Sequence, residues 1–99
     1  MAVYVDNARL KWRNKEWCHL VADSLDELHS FAQHLGLRRE WFQSSTMYPH
    51  YDVTAGVRQK ALALGALAGD KPVIVHCAKR LRLELRAQNL YTGDFLASG

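Results

Sequence analysis

Apolar and polar residues alternate over Val3-Tyr4-Val5-Asp6, then again over Glu16–Ala22 (EWCHLVA). In the second run Trp17, His19 and Val21 share one face, and Cys18, Leu20 and Ala22 the other. Both runs predict strands, joined by a polar, basic loop or wide hairpin connection over residues 7–15. The period then changes. Ser24-Leu25-Asp26-Glu27 forms a capping box, and the helix it opens aligns Leu25, Leu28, Phe31, Ala32 and Leu35 before stopping at Gly36.

Further along, Arg39–Gln43, carrying Trp41 and Phe42, predicts a short strand, and Trp17 and Trp41 are expected in the core. Ser44–Pro49 is a loop in which Pro49 holds Tyr48 extended. Thr54 is an N-cap for a second helix, where Val57, Ala61, Leu64 and Ala68 make a narrow stripe suited to close packing on a sheet. Gly69–Pro72 predicts a turn, and the β-branched run Val73–His76 a strand. Residues 78–90 predict a third helix and 92–99 a loose tail. The order β-β-α-β-α-β-α predicts a small α/β fold in one domain, a short mixed or parallel sheet with about three helices.

Composition narrows the class. Ninety-nine residues suffice for one core, and 48% apolar with 23% charged residues excludes wholesale disorder. No run nears the roughly 20 apolar residues of a membrane span, and Met1–Asp6 lacks the pattern of a secretion signal, so a cytoplasmic location is expected. Cys18 and Cys77 lie in apolar runs outside any metal or redox spacing and are expected as buried, reduced thiols. A net charge of +3 allows a phosphate-bearing ligand without requiring one.

Chemistry concentrates at Tyr48-Pro49-His50-Tyr51-Asp52-Val53-Thr54. Here an imidazole, a phenol and a carboxylate precede a helix start that favours anions. In extended backbone His50 and Asp52 leave the same face, so one strand offers two ligands to a metal, or a base with its orienting partner. Such a pair also serves as a plain structural hydrogen bond. Asp6, His19 and Asp23 are further candidates, and Asp6, Asp23 and His76 would fall beyond the carboxyl ends of the strands if these are parallel. Zinc would take three or four such nitrogen and oxygen ligands, and manganese or magnesium mainly the carboxylates.

Arg58 and Lys60, read near the start of the second helix, oppose its dipole unless an anion binds there, which makes them phosphate candidates; pairing of Arg58 with Asp52 is the structural alternative. Lys79, Arg82 and Arg86 form a basic stripe on the last helix, a solvated face or a nucleic-acid contact. Its arcs Leu81/Leu85 and Leu83/Leu90 would let one face the sheet and the other a second copy, so a homodimer through residues 78–90 is expected. Trp12 among Arg9, Lys11, Arg13 and Lys15 could stack a base or cover the core. His29 and His34 are read as structural or solvated.

Val3–Asp6, Trp17–Leu20, the Ser24–Gly36 helix, Trp41–Gln43 and Pro49–Asp52 leading to Arg58, Ala61 and Gly65-Ala66 together resemble a family of short bacterial and phage proteins of unknown function, DUF4031. That family is marked by a His-Tyr-Asp motif, here His50, Tyr51 and Asp52, and the resemblance covers residues 2–68. It implies Asp6, His19, Asp23, His50, Tyr51, Asp52 and Arg58 as site candidates and brings no activity with it. The opening strand ending in Asp6 is also similar to the first strand of PIN-type nucleases, by analogy alone.

Two functions follow as expectations. One is a metal-assisted hydrolase or nuclease-like protein acting on a nucleotide or phosphodiester. Its metal would be held by Asp6, Asp23, His50 and Asp52, its chemistry carried by His19, His50, Tyr51 and Asp52, and its phosphate bound by Arg58 and Lys60. The other is a non-catalytic nucleotide- or nucleic-acid-binding module, an accessory factor of a phage.

Overall fold

The computed structural model describes residues 2–98, with side chains through residue 89. A mixed five-stranded sheet is built around one long strand. β3 (Lys15–Ala22) pairs antiparallel with β1 (Val3–Val5), β2 (Leu10–Trp12) and β4 (Tyr51–Thr54), while β5 (Leu67–Ala68) runs parallel to β1. Trp17 pairs with both Leu10 and Thr54, and Leu20 with both Val5 and Tyr51. A strand has two edges, so β4 takes one edge of β3, and β1 and β2 follow each other along the other. With three helices, this is the small α/β domain that the pattern predicts.

Between β1 and β2 the ladder is interrupted. Residues 6–9 stand opposite only Cys18 and His19, an insertion that bulges the edge and re-aims Asp6. The loop expected over residues 7–15 therefore contains β2 and a two-residue turn. Arg13 and Asn14 sit at φ of 51° and 63°, the left-handed pair that matches strand twist in a tight hairpin.

α1 (Leu25–His34) begins where the capping box predicts: the Ser24 hydroxyl accepts from the Glu27 N–H at 3.2 Å. Gly36 ends the turn at φ 86°. Leu25, Leu28 and Ala32 enter one core with Cys18, Leu20 and Val53. Both cysteines are buried and unpaired, as expected.

Three elements differ from expectation. Arg39–Trp41 is a 3-10 turn, with only Gln43 bridging to His50; Trp41 is exposed, and neither it nor the half-buried Trp17 belongs to the core. α2 (Ala55–Ala63) ends before Ala68, because Gly65 turns the chain at φ 110° and frees Leu67 and Ala68 to pair with β1. Val73–His76 lies inside α3 (Lys71–Ser98), started by Asp70, whose carboxylate accepts from the Val73 N–H at 3.2 Å. Ile74, Cys77, Ala78 and Leu81 are buried at helical spacing. A β-branched residue costs a helix at most about 0.7 kcal/mol, whereas burying a side chain such as Ile74 or Leu81 contributes about 1.5–3 kcal/mol, so packing wins.

The helical assignment also covers residues 92–98, expected as a loose tail. The Leu90 side chain and Gly99 lie outside the described residues. Among the described residues no helix is long and apolar enough to cross a membrane.

Candidate metal centre

His19 on β3 and Asp52 on β4 are direct cross-strand partners, so both side chains leave the same face of the sheet. His50 stands just before β4, held by the backbone bridge from Gln43 N–H to its carbonyl at 2.9 Å. One ligand atom each from His19, His50 and Asp52 lies within 4.8 Å of the others. The two imidazoles meet edge to face at 4.9 Å. All three side chains are half-buried.

Hydrogen bonds fix what each ring offers. An ionised carboxylate only accepts, so His19 Nδ1 donates to Asp6 Oδ2 at 2.7 Å and leaves Nε2 as the ring's available lone pair. Asp6 Oδ1 accepts from the His19 and Ala8 N–H groups at 2.8 and 3.2 Å. Burial pushes the Asp6 carboxyl upward, but the hydrogen bonds with His19 and Ala8 prevail and hold it below the usual range. Likewise His50 Nδ1 must donate to the Tyr48 carbonyl at 2.6 Å, since a carbonyl has no proton to give. Its Nε2 then faces Asp52 Oδ1 at 3.1 Å.

That last contact is the chemically informative one. With Nδ1–H committed, a neutral His50 would turn a lone pair toward a carboxylate oxygen. A proton or a metal cation between the two atoms removes the repulsion. Burial lowers the His50 pKa, yet the bonds to Asp52 and Tyr48 outweigh it and the net shift is upward. Asp52 moves down, chiefly through its bond with His50, against burial and with help from Gln43 Nε2 on its other oxygen.

The site opens into a cleft of about 780 Å³. Asp6, His19 and His50 lie on the sheet side, Tyr48 on the preceding loop, and Lys71 and Ile74 on α3. A smaller depression shares His19 and His50 with it and runs past Asp52 to Trp12 and Trp17.

Other predicted site residues fall elsewhere. Because β1 and β3 are antiparallel, Asp6 and Asp23 sit at opposite ends of the sheet, and the parallel arrangement that would unite them does not occur. Asp23 instead accepts from the Ala2 N–H at 2.8 Å and lies 3.8 Å from Cys77 Sγ. Burial, then that carboxylate, pushes the Cys77 thiol up to about 11. Asp6 stands behind His19 with both oxygens occupied, in an orienting position.

Strand alternation sends Tyr51 into the core on the other face, where its hydroxyl bonds His29 Nδ1 at 2.9 Å and its ring packs on Phe42. Arg58 Nε donates to the Asp6 carbonyl at 2.7 Å, bracing the bulge. Lys60 is exposed in the last turn of α2, where the helix dipole favours a cation, so the anion argument for it lapses. His76 is exposed on α3. Sequence reasoning missed Gln43 and the Tyr48 carbonyl, whose roles depend on the loop returning over β4 and leave no local signal.

Residues 3–81 match the model of a family described as a protein of unknown function, DUF4031. No curated protein and no solved structure matches the chain.

Proposed function

The chain belongs to the DUF4031 family, and we propose that it is a metal-dependent hydrolase of the nuclease type, holding one divalent ion through His19 Nε2, His50 Nε2 and Asp52. The observation that carries this reading is the approach of His50 Nε2 to Asp52 Oδ1 beside His19, with each Nδ1 already committed to an acceptor. Two imidazoles and one carboxylate form a set used for zinc, iron or manganese, and they leave positions open toward the cleft. Asp6 behind His19, and Gln43 behind Asp52, are the outer partners such ligands need.

When bound, the ion would polarise a phosphoryl oxygen and make a water nucleophilic near neutral pH. The chain's own residues do the rest. His19 is kept in one tautomer by Asp6. Lys71, on the cleft wall beside Asp70 and Ile74, offers positive charge to a phosphate. Arg58 supports this arrangement through the Asp6 carbonyl.

Calorimetric titration of the chelator-treated protein with Zn²⁺, Mn²⁺ and Mg²⁺, followed by hydrolysis of bis(p-nitrophenyl) phosphate, tests the reading. One ion per chain and turnover, both lost in Asp52→Asn with circular dichroism unchanged, are expected. Absence of binding by all three ions would overturn it. The exposed cations Lys79, Arg82 and Arg86 on α3 favour the second reading, a nucleotide- or nucleic-acid-binding module without turnover. Binding of an oligonucleotide that charge reversal at Arg82 and Arg86 weakens, with no ion bound, is the result that would select it.

A further inference from the structure

We infer that the β2–β3 hairpin is a stacking platform for single-stranded nucleic acid, which would place the backbone phosphates of the bound strand at the His19–His50–Asp52 centre. The inference rests on the metal-centre reading for the chemistry and on separate residues for the binding. Trp12 is 59% exposed at the end of β2. Its ring meets Trp17 edge to face at 6.2 Å, and Trp17 Nε1 donates to the Trp12 carbonyl at 3.1 Å, so the two indoles are held as a unit. The Arg13 guanidinium lies 4.5 Å from the Trp12 ring centroid. The arginine thus covers one face of the indole, and an unpaired base can stack on the guanidinium plane or on the exposed remainder of the ring.

Charge around the indole is one-sided. Residues 9–15 contain Arg9, Lys11, Arg13 and Lys15 and no acid. Arg9 is paired with Glu16 at 3.3 Å, and Lys11, the cross-strand partner of Glu16, projects from the other face; Arg13 at the turn and Lys15, directly opposite Trp12, are exposed and make no ion pair among the described residues. Arg13 also occupies the left-handed region, which glycine or asparagine would occupy more readily.

Position joins the platform to the centre. The depression lined by Trp12 and Trp17 is also lined by His19, His50 and Asp52. Trp17 and His19 are two residues apart on one face of β3, roughly 7 Å along the strand. A stacked base at the indoles therefore leaves its sugar–phosphate within reach of the three ligands. Duplex bases have both faces covered by neighbours and cannot use such a platform unless extruded, so the substrate is single-stranded.

Fluorescence anisotropy with end-labelled dT12, rU12 and a 12-base-pair duplex, in chelator, tests binding independently of metal. Both single strands are expected to bind at least 10-fold more tightly than the duplex, and a difference between dT12 and rU12 assigns the sugar. Trp12→Ala should weaken binding roughly 10-fold, and Trp12→Phe should restore it to within about 3-fold. If Arg13 and Lys15 contact phosphates, raising salt from 50 to 200 mM should weaken binding roughly 7-fold. Should Trp12→Ala perturb the hairpin, the exposed pair Arg13→Glu and Lys15→Glu provides the second test, with a loss of at least 10-fold expected.

Equal affinity for duplex, or affinity unchanged in both Trp12→Ala and the double charge reversal, would overturn the inference. The two readings fail separately. Trp12→Ala should take up metal normally, and Asp52→Asn should lose metal while still binding dT12 in chelator.

Discussion

Asp6 grips His19 twice: its Oδ1 accepts the histidine's backbone N–H at 2.8 Å, and its Oδ2 accepts from Nδ1 at 2.7 Å. One carboxylate thereby registers the bulged edge against β3 and selects the tautomer that leaves His19 Nε2 unprotonated. The bulge is what brings Asp6 to this place, since residues 6–9 oppose only Cys18 and His19. Asp6→Asn keeps an acceptor for the backbone N–H but presents an NH₂ to Nδ1, which would move the ring proton to Nε2. Metal affinity should fall about 10–100-fold. Isothermal titration with Zn²⁺ measures the loss, and nitrogen-15 imidazole shifts report the tautomer; an unchanged affinity would show that Asp6 does not orient a ligand.

The metal-free protein should lose stability at both ends of the pH range. Asp52 and Asp6 have folded pKa values below 3.8, so their contribution is present above that value and disappears as pH falls through the depressed ones. The folded pKa of His50 is raised above 6.5, so its contribution is complete below 6.5 and is lost as pH rises through the raised value. The His50–Asp52 pair is intact between these limits. Thermal melts across pH 3–9 should show both limbs, with the upper one abolished in Asp52→Asn. Added Zn²⁺ competes with the His50 proton, so the stabilisation it confers should grow with pH over the same upper limb.

Tyr51→Phe separates the core role of Tyr51 from a catalytic one. The hydroxyl is the hydrogen-bond partner of His29 Nδ1, and His29 Nε2 is already buried without one among the described residues. Removing it should cost about 1–3 kcal/mol. At this chain length each kcal/mol is roughly 4–8 °C in Tm. Zn²⁺ affinity should stay within twofold, and a large loss of metal with an unaltered Tm would return Tyr51 to the site.

At the hairpin turn, stability and binding should move in opposite directions. Arg13 holds φ 51°, which asparagine tolerates better. Arg13→Asn should therefore raise stability by about 0.5–1 kcal/mol in urea denaturation while weakening dT12 binding several-fold. A variant that gains stability and keeps its affinity would mean that Arg13 serves only the turn.

Local pattern alone determined much of this protein. Ser24, Glu27 and Gly36 bound α1 because caps and left-handed turns depend on neighbouring backbone groups. Alternation placed His19 with Trp17 and Val21, and Thr54 capped α2 through its own hydroxyl. The clustering of chemistry at His50 and Asp52 was legible for the same reason, since residues two apart on a strand share a face.

Tertiary structure decided the rest. Whether Val73–Val75 became strand or helix turned on the burial of Ile74, Cys77, Ala78 and Leu81, and β-branched preference is too weak to resist that packing. Strand direction separated Asp6 from Asp23, and the register of β4 on β3 set Asp52 opposite His19 while turning Tyr51 inward. Register and direction come from contacts between residues far apart in the chain. No local pattern encodes which partner a strand edge meets, so the site's ligands were visible singly and its geometry only in the fold.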